Sequence, residues 1–429
     1  MGKTVNLNLA ISGIMLAGAA FAGNEALKMI GCGYSYAQVM AAAGISVAGG
    51  IVLDRFLNDN EYEKLWKMCG IVNKDGQIPL IIKEEMNNNK TTLVLHLPPG
   101  LSQKHFESKQ EEIEQNLNAK IEFGFNKNLI IDVYKMNLKN RYSYAFEECQ
   151  KPLEIYIGES VKGKFILDIA ECPHMLIAGE SGSGKSSFID TICTSLILNK
   201  YNVDLHLIDF QSVTLEKYKF CKKVKSFGEL PEDLNNLLDE LEEENKRRRK
   251  LFTESKVYID KISKWNEVYP DKALPYKVVV IDEFARLADK QYEDIFVKFK
   301  QRIAMDRKVG FHFLSSMQRP DTKIIEGSIK ANMPTRAAFK VTSPVDSEVI
   351  LGDIRGAEKL KNQGCCLIKH NGVISEVQIA YMEPDEIMKL LKRTGKLKTR
   401  EDIYKERKEL MEKFRSQNIN PYTQGSNVP

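Results

Sequence analysis

No C-x-x-C pair occurs among the eight cysteines (Cys32, Cys69, Cys149, Cys172, Cys193, Cys221, Cys365 and Cys366), and no cysteine–histidine grouping has metal-ligand spacing. Zinc-finger and zinc-ribbon patterns are thereby excluded, and the thiols read as buried or inert groups of a reducing cytosol. The six histidines are equally scattered, so no Ser/His/Asp triad is spelled out. Charge of one sign is also lacking: 62 Lys and Arg stand against 58 Asp and Glu, a net +4. This balance excludes a histone-like coat that holds nucleic acid by bulk positive charge, but leaves room for a local DNA-binding surface. With 43% hydrophobic and 28% charged residues, a wholly disordered chain, a collagen-like repeat and a polytopic transporter are excluded as well. The 429 residues suit about two to four domains.

What is present is unevenly placed. Val5 to Ala22 and Tyr34 to Leu53 carry no charge, and each is long enough to cross ~30 Å of hydrocarbon as a helix. Small residues four apart (Gly13/Ala17, Gly18/Ala22, Gly44/Ala48) suit close helix packing in lipid. Residues 1–55 are therefore expected to form a transmembrane helical hairpin, a cell-membrane anchor with both termini and the rest of the chain in the cytoplasm. With Lys3, Arg55, Lys64 and Lys67 inside and Glu25 and Lys28 outside, the flanking charges agree weakly with the positive-inside rule. A cleavable signal peptide and an Ala/Gly-rich soluble core are the competing readings.

Residues 56–150 read as a small α+β adaptor domain. IPLII, the alternating TTLVLHLPPG, a helical HFESKQEEIEQNLN, then KIEFGF and LIIDVYK around Asn126-Lys127-Asn128 give a β-α-β-β pattern with no catalytic constellation.

The chemistry begins at HMLIAGESGSGKSSFIDTICTSLIL. An apolar strand leads into Gly179-Glu180-Ser181-Gly182-Ser183-Gly184-Lys185-Ser186 and then an apolar helix, which is G-x-x-x-x-G-K-[ST] in its required strand–loop–helix context. Glycines let the backbone aim N–H groups at phosphate oxygens, and the helix N-terminus adds partial positive charge. Lys185 then reaches the β/γ-phosphates and Ser186 a Mg²⁺ ion, with Ser187 completing the phosphate-binding run. YKVVVIDEFARLAD places Asp282-Glu283 at the end of a β-branched strand, where ligands of open α/β sheets bind. Asp282 is the second Mg²⁺ residue, through water, and Glu283 the general base. LHLIDF and GFHFLSSMQRP supply two more strands, with Gln318 at a strand end facing the γ-phosphate. The fold class is α/β, a P-loop ATPase with a mostly parallel sheet.

These residues resemble a family. GESGSGKSS, LIDF in place of a strand ending Asp-Pro-Lys, LEEENKRRRKLF, LPYKVVVIDEFARL, GFHFLSSMQRP, IKANMPTRAAFKVTSPVDSEVIL and GAEKLKNQGCCLI stand in the order of the FtsK/SpoIIIE DNA translocases, relatives of HerA-type ATPases and conjugative coupling proteins. The resemblance implies a RecA-like motor over residues 151–391 that assembles with itself, as a hexamer, and drives DNA with ATP and Mg²⁺. It makes Lys185, Asp282 and Glu283 functional, Gln318 a phosphate sensor, and an arginine from a neighbouring subunit necessary, with Arg336 the first candidate and Arg307 and Arg319 behind it.

Some positions depart from the family. Glu348 stands where chromosome translocases carry Arg, and Cys365 where they carry Asp; after Leu391 there is a tail, 392–429, with ten basic and five acidic residues between Lys392 and Arg415. An anchor, a small domain and a compact motor resemble the FtsK-type coupling proteins of Gram-positive conjugative plasmids and integrative conjugative elements. That resemblance implies a relaxase and type IV-like secretion-channel proteins as partners. A chromosome or plasmid segregation translocase, and a nucleotide-gated membrane scaffold that does not pump, are the alternatives.

Overall fold

The computed structural model describes residues 62–416 except 88–89, 135–137, 172, 323 and 353–355. The two stretches expected to form a membrane hairpin lie outside the described residues. Among those that are described, no helix is long and apolar enough to cross a membrane. The chain divides into two compact units between Asn137 and Leu138.

The first unit is an antiparallel sheet in the order β1-β2-β4-β3, formed by β1 (Leu80–Asn87), β2 (Lys90–His96), β3 (Lys120–Asn126) and β4 (Asn128–Tyr134). Its period of two places Leu93, Leu95, Leu129, Ile131 and Val133 on one face, buried with Trp66, Phe106 and Ile113 from the helical segments. Thr92 and Asp132, hydrogen-bonded at 2.7 Å, lie half-buried outside that core.

Residues 138–150 were expected to belong to this small domain; they pack in the second unit instead. Tyr142–Ser143, strand β5, pairs with β15 (Val373–Tyr381), and buried Tyr144 meets Tyr156 and Ala380, its hydroxyl 2.8 Å from Ser195 Oγ. A two-residue strand carries no periodicity, so this boundary had no signal in the sequence.

The second unit adds β6 (Glu154–Ser160), β7 (Gly163–Asp168), β8 (Met175–Ala178), β9 (Val203–Asp209), β10 (Val224–Gly228), β11 (Tyr276–Asp282), β12 (Phe311–Met317), β13 (Thr335–Phe339) and β14 (Cys365–His370). The order is β10-β9-β11-β12-β8-β13-β14-β15-β6-β7. From β10 to β13 every neighbouring pair is parallel; from β13 through β14, β15, β6 and β7 every pair is antiparallel. The expected mostly parallel sheet is thus a mixed one, a parallel half extended by an antiparallel wing. The central parallel strands β8 and β12 are uniformly buried runs (MLIA, FHFLSSM), as expected where both faces of a sheet are covered, while β10 at the edge is partly exposed. Register places Asp282 beside Asp209 and Met317 beside Ala178, so the carboxyl ends of β9, β11, β12 and β8 open onto one edge.

Candidate nucleotide site

At that edge the chain leaves β8 and turns through residues 179–184 into the helix Lys185–Leu198. Two glycines are dictated by geometry. Gly179 has φ +153° and a Cβ there would stand 2.6 Å from Phe339 Cβ; Gly184 has φ +115° and its Cβ would stand 2.6 Å from Gly364 Cα. The loop is braced from the antiparallel wing: Gly364 N–H donates to Ser183 O and Gln363 Nε2 to Gly182 O, both at 2.9 Å. Gln363 and Gly364 were not singled out by sequence reasoning, which read QGCCLI only as a family resemblance.

Lys185 is buried, and its ammonium donates to the carbonyls of Gly179 (2.5 Å) and Glu180 (2.7 Å) within its own loop. Burial lowers its pKa below the usual lysine value, an effect the nearby Glu283, Asp282 and Glu180 oppose. A phosphate in the loop replaces weak carbonyl acceptors by full negative charge, so this ammonium is poised for an anion. Ser186 is exposed in the first helical turn and Ser187 half-buried.

Asp282 ends β11, where its carboxylate accepts from Ser316 Oγ and, at 3.2 Å, from Glu283 N–H. Among the described residues no three His, Cys, Asp or Glu side chains gather as a metal cage. The Ser186 hydroxyl and the Asp282 carboxylate are hard oxygen donors that fit Mg²⁺ held partly by substrate phosphates.

Glu283 is a non-glycine residue in the left-handed region, φ 57° and ψ 54°, a conformation that costs on the order of 1–3 kcal/mol and clusters at functional sites. Burial raises its pKa above the ordinary carboxylate value, against a hydrogen bond from the Gln318 backbone and the charge of Lys185. Its Oε2 accepts from Gln211 Nε2 at 3.3 Å, and Gln211 Oε1 accepts from Gln318 Nε2 at 3.4 Å. Gln211 was missed in the sequence. It follows β9 in a turn built by the fully buried Asp209, which accepts from Gln211 N–H (3.3 Å) and Leu215 N–H (2.7 Å). An aspartate two residues ahead, at the end of an apolar strand, was the available signal.

The structure corrects the expectation for Arg336. It lies on β13 paired with Leu176 near the start of β8, away from the loop that follows Ala178. The side chain is buried, donating to the carbonyls of Met333 (3.0 Å), Lys330 and, at 3.4 Å, Ile350. A guanidinium engaged by carbonyls of its own subunit is a structural tie rather than a group presented to a neighbour. Arg319 is exposed beside Gln318 and lines a hollow of about 540 Å³ with Glu180, Ser181, Thr342 and Asp346. Arg307 is exposed and donates to Glu171 O at 3.1 Å. A second hollow, about 170 Å³, borders Gly184, Ser187 and Gln363. The larger hollow of about 710 Å³ between Tyr381 and the helix Pro384–Arg393 holds none of the expected site residues.

Residues 138–322 match the FtsK/SpoIIIE family. The chain is 37% identical over 251 residues to a DNA translocase FtsK of Staphylococcus epidermidis, covering 55% of this chain and 31% of that protein. It is 34% identical over 308 residues to the DNA translocase SftA of Bacillus subtilis, covering 66% and 31%. It thus spans about a third of the length of these relatives. Among solved structures, the pCW3 conjugation coupling protein TcpA in a monomer form with ATPγS superposes with a TM-score of 0.55 at 23% identity, over 77% of this chain and 98% of that one. EssC ATPases 2 and 3 from Geobacillus thermodenitrificans give 0.53 at 18% identity, over 60% and 51%. Both are likenesses of fold.

Proposed function

We propose, from the premise that residues 138–322 form an FtsK/SpoIIIE-family domain, that this chain is an ATP-driven DNA translocase working as a membrane-anchored conjugative coupling protein. The observation that carries the reading is convergence: Lys185, Ser186, Asp282, Glu283 and Gln318, spread over more than 130 residues, come together at one sheet edge. In this reading the N–H groups of residues 179–187 cradle the phosphates of ATP and Lys185 neutralises the β/γ-oxygens. Ser186 and Asp282 hold Mg²⁺, which supplies charge neutralisation of the phosphates when bound. Glu283 takes a proton from the attacking water, and Gln318 senses the γ-phosphate. Arg319, exposed on the cleft side, replaces Arg336 as the first candidate to reach a neighbouring subunit's nucleotide, with Arg307 behind it. A self-assembled ring, a hexamer, holds DNA by contacts to phosphates rather than bases, so affinity falls as salt rises.

The coupling role is this reading's own choice: the fold likeness to a conjugation coupling protein extends over 98% of that chain, while the sequence relatives FtsK and SftA keep a chromosome segregation translocase as the second reading. Relaxase-bound DNA handed to a type IV-like secretion channel is the cargo this reading assigns. Conjugation frequency tests it: a donor lacking the gene loses transfer, the wild-type gene restores it and the Lys185→Ala form does not. Normal transfer without the gene overturns the coupling role.

A further inference from the structure

The hydrogen-bonded row Glu283–Gln211–Gln318 contains one residue to which the function above gives no task. We propose that Gln211 is a positioning residue, a latch that holds the Glu283 carboxylate aside until Gln318 turns to the nucleotide; this rests on the reading of Glu283 as general base and Gln318 as sensor.

The direction of the bonds supports this. An ionised carboxylate only accepts hydrogen bonds, so Gln211 must present its NH₂ to Glu283 Oε2, at 3.3 Å. Its carbonyl oxygen is then turned to Gln318, which must present its own NH₂, at 3.4 Å. Each amide orientation fixes the next, so a change at Gln318 is felt at Glu283. The backbone under the latch is held independently: Asp209, fully buried, accepts from Gln211 N–H and Leu215 N–H. The other end is equally fixed, because the Glu283 backbone sits in the left-handed region.

In this arrangement the Glu283 carboxylate receives a side-chain donor from Gln211. The Gln211 donor fixes the orientation of the carboxylate and so the direction in which its remaining acceptor sites face. When the Gln318 NH₂ moves to a phosphate oxygen, the Gln211 carbonyl loses its partner, the 3.3 Å bond has nothing orienting it, and the carboxylate is released to the water. Both bonds are long for their type, as suits a contact that must break in each cycle. A lysine in place of Gln211 donates but has no acceptor. It could hold Glu283 without answering Gln318.

The test measures kcat and KM for ATP, with and without DNA, on the full chain carrying Gln211→Ala or Gln211→Lys. Gln211 is exposed, so both variants are expected to keep the wild-type melting temperature. Gln211→Ala is expected to raise DNA-free kcat about tenfold, the worth of one hydrogen bond to a charged group, with KM changed by less than about twofold. Gln211→Lys is expected to lower the DNA-stimulated kcat. An unchanged or reduced DNA-free kcat in Gln211→Ala overturns the latch. If wild type ignores DNA, the translocase reading fails by itself, and single-turnover hydrolysis without DNA by wild type and Gln211→Ala still decides the latch by the same comparison.

Discussion

Gly184 and Gly364 are in backbone contact: a Cβ on Gly184 would come within 2.6 Å of the Gly364 Cα. The phosphate loop is therefore shaped by a turn of the antiparallel wing about 180 residues further along the chain as well as by its own glycines. Gly184→Ala is expected to weaken ATP binding at least about tenfold, because the loop must shift to relieve both the contact and the positive φ. Titration of a fluorescent ATP analogue checks this, with retention of the wild-type far-ultraviolet spectrum.

Lys185 is expected to help binding and to burden the empty fold. Its ammonium is buried on two carbonyls of its own loop, and burial lowers its pKa. Lys185→Met should leave the melting temperature of the nucleotide-free protein equal or higher, since a desolvated charge is removed. The rise in melting temperature on adding ATP should vanish. A large drop without nucleotide would show that the lysine holds the loop together.

Arg336 is expected to matter for folding. Its three carbonyl acceptors lose their donor in Arg336→Ala, which should cost about 3 kcal/mol of stability, on the scale of hydrogen bonds to a charged group in a buried site. Arg319→Ala should leave stability unchanged and lower ATP hydrolysis only under conditions where subunits assemble. Denaturant unfolding separates the two.

Stability should fall on acidification, beginning near pH 6.5. His174, His206 and His312 are buried, and desolvation lowers each to about 3. Folding favours their neutral form, so their contribution is complete above the unfolded value of about 6.5 and is lost as pH falls toward 3. Asp306 acts oppositely: burial pushes its carboxyl up to about 7, so its contribution fades as pH rises through that value. Between about pH 4 and 6, unfolding takes up three protons on histidine and releases one from Asp306. For these four groups the uptake exceeds the release, so their joint contribution to stability falls as pH drops across this range. Urea midpoints across this range check the sign, and a flat profile would contradict it.

The sequence was most legible where chemistry demands contiguous residues. Gly179 to Ser187 and the pair Asp282-Glu283 were readable because a phosphate cradle needs successive N–H groups and a strand end needs an apolar run before its acids. β8, β9, β11 and β12 were equally plain as short buried runs. The antiparallel wing was not, because β14, β15, β6 and β7 carry half-buried positions whose partners are far apart in sequence. For the same reason Gln363, Gly364 and Gln211 escaped notice: each acts through a contact more than 70 residues away. Arg336 was misread because PTRAAFKV shows an arginine without showing that its strand lies inside a sheet. In the first unit the expected β-α-β-β order covers β2, the helical stretch, β3 and β4 but leaves out β1 (Leu80–Asn87), which precedes them and pairs with β2; neither that strand nor the boundary at Leu138 was readable.

The central claim, that this site turns ATP hydrolysis into movement along DNA, is tested most directly by ATP turnover with and without DNA in wild type and Glu283→Gln. Wild type should be stimulated by DNA. Glu283→Gln should still bind ATP, with its DNA-stimulated rate lower by about 10²-fold or more, the usual contribution of a positioned base. Absence of stimulation by any DNA, or full activity of Glu283→Gln, would contradict the account.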